Sequence, residues 1–508
     1  MKSPQVVIVG GGPAGLTAAY ELCKAEVSAV VLEKDDTVGG LARTVDYNGY
    51  RFDIGGHRFF TKVPAVEALW REVLSDADFL HRPRLSRIYY NRKFLHYPLR
   101  PANALWGSGL LNSCLIFTSF IWAKLFPHKP ETTFEQWVSN RFGAHLYRTF
   151  FKTYTEKVWG MPGSQISAEW AAQRIQGLSL GSALKNALRP QGRTRANAPV
   201  IKTLIETFDY PRLGPGMMWQ RISDLVQQQG QQVRLRAAVE RLLWSEAAGR
   251  IEAVEIQTGE RSERVEGSHF ISSMPLRELL EKLWPPPPPK VLQAARSLKY
   301  RDFLTVALIV DRSEVFPDNW IYIHDPDVQM GRIQNFKNWS ADMVPDPDKT
   351  CLGLEYFCHE GDVLWSMSDS ELLALGRREL EQLGLARASE IVDGTVVRMP
   401  KAYPVYDATY AQCLGTVREF LAGIENLQVV GRNGMHRYNN QDHSMLTAML
   451  AVQNILGAHH DLFAVNIDQE YHEELRHFPK LRSEDARLLE ATQPQVPAQV
   501  QGTGPGVS

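Results

Sequence analysis

Short apolar runs and longer stretches with helical spacing alternate along the chain, and this alternation predicts an α/β fold. Residues 6–10 (VVIVG) are continuously apolar and β-branched, as expected of a strand buried on both faces of a parallel sheet. A glycine-rich turn follows, then a helical stretch over residues 16–24 and a second short apolar run over residues 29–32. The order strand, turn, helix, strand is typical of a parallel βαβ unit.

The turn after the first predicted strand has the glycine spacing of a dinucleotide-binding site. Its sequence, GGGPAG at residues 10–15, allows a tight turn, close approach of the backbone to a pyrophosphate, and close packing of helix on strand. Glu33 ends the second run, at the spacing where an acid meets ribose hydroxyls. We predict a Rossmann-like domain; a glycine-rich turn in another α/β protein is the alternative. The predicted cofactor-binding residues of this unit are Gly10, Gly12, Pro13, Ala14, Gly15, Glu33 and Lys34.

The residues that follow Glu33 distinguish FAD from NAD. Residues 38–44 read VGGLART, and residues 52–57 read FDIGGH. A GG-x-x-R-T sequence just after the acid resembles the second signature of the glutathione-reductase-like flavoproteins of the amine-oxidase kind. This resemblance implies FAD as the cofactor. It adds these cofactor-binding residues: Gly40, Leu41, Ala42, Arg43, Gly56 and His57.

The pattern further along predicts that the cofactor domain is interrupted twice. Residues 98–191 are mostly helical in spacing, the chain returns to the cofactor domain near residue 214, and strand follows strand between residues 300 and 359. The predicted fold is therefore α/β: a Rossmann-like FAD-binding domain with an inserted helical domain and an antiparallel-sheet substrate domain. The predicted boundaries are 1–97, 201–290 and 395–475 for the three parts of the FAD-binding domain, 98–200 for the helical domain, 291–394 for the substrate domain and 484–508 for a disordered tail.

Two local patterns give more detailed predictions. Residues 251–257 and 263–273 alternate between apolar and polar positions, which predicts that they pair as a β-hairpin. Thr132 and Glu135 have the spacing of a capping box, which predicts the start of a helix at this point.

Residues 102–123 carry no charged side chain and are long enough to span a bilayer. The segment also contains several Asn, Ser and Thr residues and lies between stretches with the pattern of a water-soluble protein. We therefore expect a pair of buried or membrane-facing helices in the helical domain. A peripheral membrane contact is the alternative, and a true transmembrane span is not expected.

Composition indicates which partners and which cellular compartment to expect for the protein. The formal net charge is −1, with 56 basic and 57 acidic residues among 508, so no overall field favours nucleic acid. The five cysteines are Cys23, Cys114, Cys351, Cys358 and Cys413. They are scattered and lack CxxC spacing, which predicts reduced thiols in a cytoplasmic protein and no metal site. We expect no signal peptide, because the first predicted strand begins at residue 6.

A second strand–loop–helix unit, late in the chain, carries candidate chemistry. An apolar strand ends at Gly431, and the sequence GRNGMHRYNNQDHS leads into a helix near His443. Amides at the start of that helix can stabilise negative charge on a reduced flavin, although an ordinary cap by Asp442 or Ser444 is the alternative. In flavoproteins of this kind a residue at the position of Val239 offers its backbone to the adenine. The further predicted cofactor-binding residues are Val239, Gly431, Arg432, Asn440, Gln441, Asp442 and Ser444.

Several motifs together resemble the UDP-galactopyranose mutases, nearer their eukaryotic-type branch, over residues 5 to about 457. They are GGH at 55–57, KVWG at 157–160 followed by AQR at 172–174, NWIY at 319–322 followed by GRIQNF at 331–336, KAYP at 401–404 and RYNNQDH at 437–443. In that family a histidine loop lies beside the flavin, two arginines hold the substrate diphosphate, and tyrosines line the same pocket. The resemblance implies His57, Arg174 and Arg332 as catalytic residues. The substrate-binding residues that it implies are Arg174, Tyr322, Arg332, Tyr403, Tyr438 and Asn440.

The same resemblance implies an activity. A FAD-dependent mutase would interconvert the pyranose and furanose rings of a nucleotide-diphosphate sugar such as UDP-galactose, by attack of reduced flavin on the anomeric carbon and without net oxidation. Its partners would be the nucleotide sugar and a reductant such as NAD(P)H, with no nucleic acid. The alternative is a flavin oxidase or desaturase of the amine-oxidase or protoporphyrinogen-oxidase kind, which shares the FAD domain but acts on an amine or an apolar substrate.

Overall fold

The computed structural model describes residues 5–97, 110–168, 170, 206–259 and 261–466. These residues fall within one compact unit. Three predictions concern residues outside the described part of the chain: the role of Arg174, the disordered tail at 484–508, and the first residues, 102–109, of the uncharged apolar segment.

The strands are β1 (Val6–Val9), β2 (Ala29–Leu32), β3 (Thr44–Tyr47), β4 (Tyr50–Asp53), β5 (Phe79–Pro83), β6 (Ser86–Tyr90), β7 (Lys93–His96), β8 (Thr207–Pro211), β9 (Gln232–Arg234), β10 (Ala238–Ser245), β11 (Arg250–Thr258), β12 (Arg261–Glu266), β13 (His269–Ser272), β14 (Leu283–Trp284), β15 (Tyr300–Val310), β16 (Trp320–Ile323), β17 (Arg332–Asn335), β18 (Thr350–Cys358), β19 (Ile391–Pro404) and β20 (Leu427–Val429).

The helices are α1 (Pro13–Lys24), α2 (Pro64–Val73), α3 (Leu110–Leu125), α4 (Phe134–Phe142), α5 (Ala144–Leu146), α6 (Lys152–Trp159), α7 (Gly216–Gln228), α8 (Leu276–Glu281), α9 (Pro289–Ser297), α10 (Phe336–Trp339), α11 (Val363–Ser366), α12 (Asp369–Gln382), α13 (Tyr410–Leu421), α14 (Gly431–Gly434) and α15 (Gln441–Ile455). A π-helical turn, Tyr147–Phe151, joins α5 to α6.

Five parallel strands, in the order β20-β13-β1-β2-β9, form the sheet predicted for the FAD-binding domain. Helices α1, α7 and α15 pack on one face, through residues such as Leu16, Trp219 and Met445. The strands β10 and β11 and the helix α8 contribute to the core on the other face. Because both faces are covered, the central strands β1 and β2 are apolar along their whole length, as the sequence pattern predicted.

The predicted hairpin of residues 251–257 and 263–273 is only half correct. β12 pairs with β11 in antiparallel register. After Gly267, however, the chain leaves that sheet, and β13 joins the parallel sheet beside β1. A Cβ on Gly267 would lie 2.8 Å from a methyl carbon of Val7, so the chain passes close to the parallel sheet at this point. The apolar run of β13 is buried beside β1, whereas β12 remains mostly exposed.

Seven strands, in the order β19-β15-β18-β17-β16-β6-β7, form the predicted antiparallel sheet. The pairing is antiparallel throughout, except between β16 and β6, which are parallel. The sheet extends beyond the predicted range 291–394, because β6 and β7 precede the helical region and β19 continues to Pro404. One face of the sheet packs on α12, through residues such as Leu354 and Leu375.

Helices α3 to α6 form the described part of the predicted helical domain, with a core that includes Ile116, Phe134 and Phe150. The capping box at the start of α4 is Thr133 with Gln136 rather than Thr132 with Glu135. Among the described residues, no helix is both long enough and apolar enough to cross a membrane.

Candidate active site

A cleft lies at the carboxyl edge of the parallel sheet. Gly10 follows β1, Glu33 follows β2, Ser273 follows β13, and Gly431 lies just beyond β20. Because the strands are parallel, these residues meet at one edge and line the same cleft, which has a cavity volume of about 330 Å³. In Rossmann-like sheets this is the edge that binds dinucleotides.

Two glycine turns form a narrow part of the cleft. A Cβ on Gly15 would lie 1.9 Å from the carbonyl oxygen of Gly10, so only glycine allows α1 to begin this close to β1. A Cβ on Gly40, which has a φ of +52°, would lie 3.3 Å from the Cα of Gly12. Side chains at these positions would fill the space, and their absence leaves backbone beside the start of α1. This arrangement fits a diphosphate.

Glu33 holds the turn together at the rim of the cleft. Its buried carboxylate accepts a hydrogen bond from the backbone N–H of Gly11 at 2.6 Å and one from that of Asp35 at 2.9 Å. The neighbouring residue Asp35 pairs with Arg43 at 2.7 Å, which ties the second glycine segment to the first. The acid therefore lies where the motif predicted a ribose partner.

The opposite wall of the cleft is formed by residues late in the chain. Arg432 is fixed by donating to the carbonyl oxygens of Asn439 at 2.8 Å and Ala402 at 3.1 Å. The side-chain oxygens of Asn433 and Gln441 are buried and have no hydrogen-bond partner among the described residues. Both residues line the cleft, so these oxygens are available to a bound group.

Most of the predicted cofactor-binding residues meet at this cleft. Those that line it are Gly10, Gly12, Pro13, Ala14, Glu33, Lys34, Gly40, Leu41, Ala42, Arg43, His57, Val239, Gly431, Arg432, Gln441 and Ser444. Four predicted residues are not part of the lining: Gly15, Gly56, Asn440 and Asp442. Asn440 is the N-cap of α15, and Asp442 is buried in the first turn of that helix. The glycine cradle, the acid and the starts of two helices together fit FAD.

Several lining residues were missed by sequence reasoning, among them Ser273, Lys282 and Asn433. Lys282 donates to the carbonyl oxygen of Val239 at 2.5 Å and so fixes the strand predicted to face the adenine. Ser273 was missed because its strand was assigned to a hairpin. The available signal was the run HFIS followed by Ser273 and, two residues later, Pro275, which is typical of a buried parallel strand that ends in a turn.

His57 lies in the wall of the cleft, in the loop that follows β4. Its Nδ1 is 3.1 Å from the carbonyl oxygen of Gly55, so the neutral ring carries its proton on Nδ1 and presents Nε2 as an acceptor. Burial, together with the positive charges of Arg432 and Arg332, lowers the pKa of His57 to about 3. The ring is therefore uncharged at neutral pH.

Arg332 is held on the antiparallel sheet by a buried carboxylate. The register places Arg332 on β17 between Tyr322 on β16 and Glu355 on β18. The Nε of Arg332 donates to one oxygen of Glu355, and the Nε2 of Gln334 donates to the other at 2.7 Å. Burial is the largest single effect and acts to lower the pKa of Arg332, but the carboxylate of Glu355 and the neighbouring tyrosines together outweigh it and raise that pKa. The guanidinium is thus a permanent positive charge, with Nη2 3.5 Å from the hydroxyl of Tyr403.

Tyrosines connect this arginine with the FAD cleft. The rings of Tyr403 and Tyr438 stack with their centroids 5.5 Å apart, and the guanidinium of Arg432 lies over both, at 5.3 and 4.9 Å. Because Arg432 also lines the cleft, these arginines and tyrosines extend from the antiparallel sheet to the carboxyl edge of the parallel sheet. We call Tyr322, Arg332, Tyr403, Arg432 and Tyr438 the arginine–tyrosine wall.

Sequence reasoning missed Glu355 and Tyr154, which support this wall. The ring of Tyr154 meets that of Tyr322 edge-on at 5.6 Å and stacks on His324 at 4.7 Å. Burial raises the pKa of Tyr154, so its hydroxyl keeps its proton. Glu355 had a signal, since an acid within the apolar run of β18 needs a buried partner. Arg174 lies outside the described residues, and its part in diphosphate binding stays a prediction.

Lys157, in the KVWG motif, supports the strands that carry the wall. Its Nζ donates to the carbonyl oxygens of Ile323 and Met330, each at 3.3 Å, and to that of Asp325. These carbonyls lie at the end of β16 and in its connection to β17. Burial lowers the pKa of Lys157 to about 8, although nearby carboxylates oppose the shift. The motif lysine therefore fixes the turn between two strands of the site.

Comparisons with known proteins agree with this arrangement. The family described as "Flavin containing amine oxidoreductase" matches residues 13–439. The crystal structure of a reduced UDP-galactopyranose mutase matches with a TM-score of 0.76 and 21% identity, covering 92% of this chain and 98% of that one. Among curated proteins, coproporphyrinogen III oxidase of Mycobacterium leprae is 38% identical over 76 residues, which are 14% of this chain and 17% of that protein. Protoporphyrinogen oxidase 2 of Arabidopsis thaliana is 27% identical over 151 residues, which are 29% of this chain and 30% of that protein. The chain thus matches less than a third of the length of these curated relatives.

Proposed function

The chain belongs to the family of flavin-containing amine oxidoreductases, and its cofactor is FAD. Within this family, we propose that it is a mutase of nucleotide-diphosphate sugars. It would interconvert the pyranose and furanose forms of the sugar ring, with UDP-galactose as the first candidate substrate. A reductant such as NAD(P)H would bring the flavin to its working state, because the reaction itself leaves the sugar with no net oxidation.

The observation that carries the proposal is the arginine–tyrosine wall. A guanidinium binds diphosphate oxygens through paired N–H donors, and tyrosine hydroxyls add donors without adding charge. Arg332 cannot lose its charge, because Glu355 stabilises it. A permanent cation in this wall attracts a diphosphate, whereas it would repel a protonated amine. The likeness in fold to a reduced UDP-galactopyranose mutase supports the same function.

Each residue has a separate task in the proposed reaction. When bound in its reduced form, FAD supplies the nucleophile for the anomeric carbon. Arg332 stabilises the charge that the diphosphate gains as its bond to that carbon breaks. Tyr403 and Tyr438 donate hydrogen bonds to the same group, and Arg174 is proposed as a second ligand of the diphosphate. His57 accepts a hydrogen bond on Nε2 and adds no titrating charge to the cleft.

The test is the binding of UDP-galactose to the FAD-loaded protein and to arginine variants. We expect Arg332→Ala to keep its flavin absorbance and to bind the nucleotide sugar about 30-fold or more weakly, since one such donor is worth about 2–4 kcal/mol. Arg332→Lys keeps a charge beside Glu355 and should bind weakly too, because the planar fork is lost. Arg312→Ala is the matched control, since Arg312 pairs with Glu390 at 3.6 Å at the far end of the same sheet. Wild-type affinity in both Arg332 variants would remove the support for a diphosphate site.

A second candidate is the oxidation of an amine or a porphyrinogen by FAD and oxygen. It is favoured by the curated relatives, whose names describe porphyrinogen oxidases, although each match covers less than a third of the relative. Oxygen uptake on mixing the protein with protoporphyrinogen or a polyamine would favour this candidate. No uptake, together with turnover of a nucleotide sugar, would favour the mutase.

A further inference from the structure

The helix α3 presents apolar side chains to the outside of the molecule. Its inward side is a narrow stripe in which Ile116 and Ala123 are buried. Trp122 is 66% exposed and Phe126, just after the helix, is 60% exposed; their rings contact each other with centroids 4.5 Å apart. The apolar face of α3 is defined here as Leu115, Phe117, Ile121, Trp122, Leu125 and Phe126, all of them exposed.

The inward side alone fixes the helix on the protein. A Cβ on Gly143 would lie 2.7 Å from the backbone nitrogen of Phe120, so α3 is packed tightly against the start of α5. The hydroxyl of Ser119 accepts a hydrogen bond from the backbone N–H of His145 at 3.0 Å. In an ordinary surface helix the side away from these contacts is polar. Here it is apolar, and a contiguous exposed apolar patch marks an interaction surface.

The charges in the helical region that carries this face are mostly positive. Lys124 lies on α3, Lys129 follows it, Arg148 lies in the π-helical turn and Lys152 begins α6; all four are exposed. Between residues 110 and 152 the only acids are Glu131 and Glu135, and neither is fully exposed. Glu131 is already paired with Arg141 at 2.9 Å. The surroundings of the apolar face therefore attract an anionic surface.

We propose that the apolar face of α3 docks on the surface of an anionic lipid bilayer, with the helix lying in the interface rather than crossing it. Tryptophan and phenylalanine insert at the headgroup boundary, while lysine and arginine bind anionic headgroups beside them. The sequence before the helix continues the pattern, because residues 102–123 carry no charge. A second copy of the chain fits less well, since the cations around two such faces would repel each other. The proposal is independent of the sugar chemistry.

Docking would also affect the position of the site. Ile116 of α3 belongs to a buried hydrophobic cluster, and the partly buried Tyr322, Tyr403 and Tyr438 pack against that cluster. The helix and the arginine–tyrosine wall therefore contact one common core. A bilayer bound by α3 would hold the substrate wall at a fixed place near the membrane.

The experiment is co-sedimentation of the full chain, loaded with FAD, with two kinds of lipid vesicle. One kind is phosphatidylcholine alone, and the other contains equal amounts of phosphatidylcholine and phosphatidylglycerol. We expect binding to the anionic vesicles that weakens with salt. The double variant Trp122→Ser, Phe126→Ser should bind about tenfold or more weakly, because it removes two large apolar side chains from the interface.

Trp284→Ser is the matched control, since Trp284 is 55% exposed on β14, outside the helical region. This variant should bind anionic vesicles like the wild type, and all variants should keep their flavin absorbance. Three results would overturn the proposal. They are no binding of the wild type to anionic vesicles, equal binding by the double variant, or a wild type that binds no vesicles but forms dimers that the double variant abolishes.

Discussion

Glu355 accepts hydrogen bonds from Arg332 on one carboxylate oxygen and from Gln334 on the other, and its side chain is 1% exposed. A charge at such a depth is tolerated only because its partner is opposite and fully engaged. The carboxylate also decides where the guanidinium lies on the sheet. Glu355 is therefore a positioning residue for the proposed diphosphate site, and it acts through Arg332 rather than on the substrate.

Replacing Glu355 with glutamine tests this role. Glu355→Gln keeps the shape of the side chain but removes the charge, so we expect the affinity for UDP-galactose to fall about tenfold to a hundredfold, as for a lost charge-assisted hydrogen bond. FAD content should be unchanged, because Glu355 does not line the cofactor cleft. Titration of both ligands measures the two effects. Glu390→Gln is the control at the outer end of the sheet, and a parallel loss of FAD and nucleotide sugar in Glu355→Gln would contradict the assignment.

Residues with local signatures were predictable, and residues with distant partners were not. The place of Gly10 and Glu33 at the cleft was predictable, because their spacing within one βαβ unit is the spacing that dinucleotide binding requires. Glu355 and Tyr154 were missed because their partners, Arg332 and Tyr322, lie on other elements. No spacing rule within a segment specifies such pairs.

Among the elements, α1 shows how closely a helix can begin beside the strand that precedes it. Gly15 faces the carbonyl of Gly10, and no larger residue fits there. Gly415, in α13, has no atom within 4 Å of where its Cβ would be. We expect Gly15→Ala to bind much less FAD and to lose about 1–3 kcal/mol of stability, whereas Gly415→Ala should gain about 0.5–1 kcal/mol. Flavin absorbance per chain and thermal unfolding measure both; normal FAD content in Gly15→Ala would contradict the close approach.

Asp53, the last residue of β4, gives a prediction of how the stability of the fold depends on pH. Burial raises the pKa of Asp53 to about 8, although hydrogen bonds from Tyr210 at 2.5 Å and Thr44 at 3.0 Å oppose the shift. The folded state then holds a proton that the unfolded chain releases above about pH 4. The contribution of Asp53 to stability should be greatest below that pH and should fall as pH rises towards 8, at up to about 1.4 kcal/mol per pH unit.

Asp53→Asn removes the titrating group. The free energy of unfolding of the variant is measured by chemical unfolding between pH 5 and 8. Its dependence on pH should lack the part that Asp53 contributes. Because the variant keeps the shape of the side chain, Thr44 and Tyr210 keep a partner at that position. An unchanged slope would contradict the assignment of the pH dependence to Asp53.

Element boundaries were less predictable than element types. The first helix was expected at residues 16–24 and spans Pro13–Lys24, so it begins three residues earlier than predicted. The hairpin of residues 251–273 was wrong in its second half, because alternation does not distinguish the edge strand β12 from the core strand β13. The cap of α4 was displaced by one residue, since both Thr132 and Thr133 offer a hydroxyl and only the geometry selects Thr133.

At the scale of the whole molecule, the order of sheets and helices was predictable and their assembly was not. The α/β class and the two interruptions of the cofactor domain followed from the strand and helix pattern, and the family resemblance supplied FAD as the cofactor. The seven-stranded sheet pairs β6, from residues 86–90, with β16, from residues 320–323. More than two hundred residues separate these strands, and nothing in either apolar run identifies its partner. The arginine–tyrosine wall depends on further distant pairings in the same sheet, because Arg332 on β17 and Tyr403 on β19 are brought together through β18 and β15.

In the proposed mutase, reduced FAD is used repeatedly and is not consumed. The most direct measurement is anaerobic conversion of UDP-galactofuranose, counted as product formed per FAD after a single reduction with dithionite. The account predicts many molecules of UDP-galactopyranose per reduced FAD, and none with the oxidised protein. One product or fewer for each reduction, or oxidation of the sugar, would contradict it.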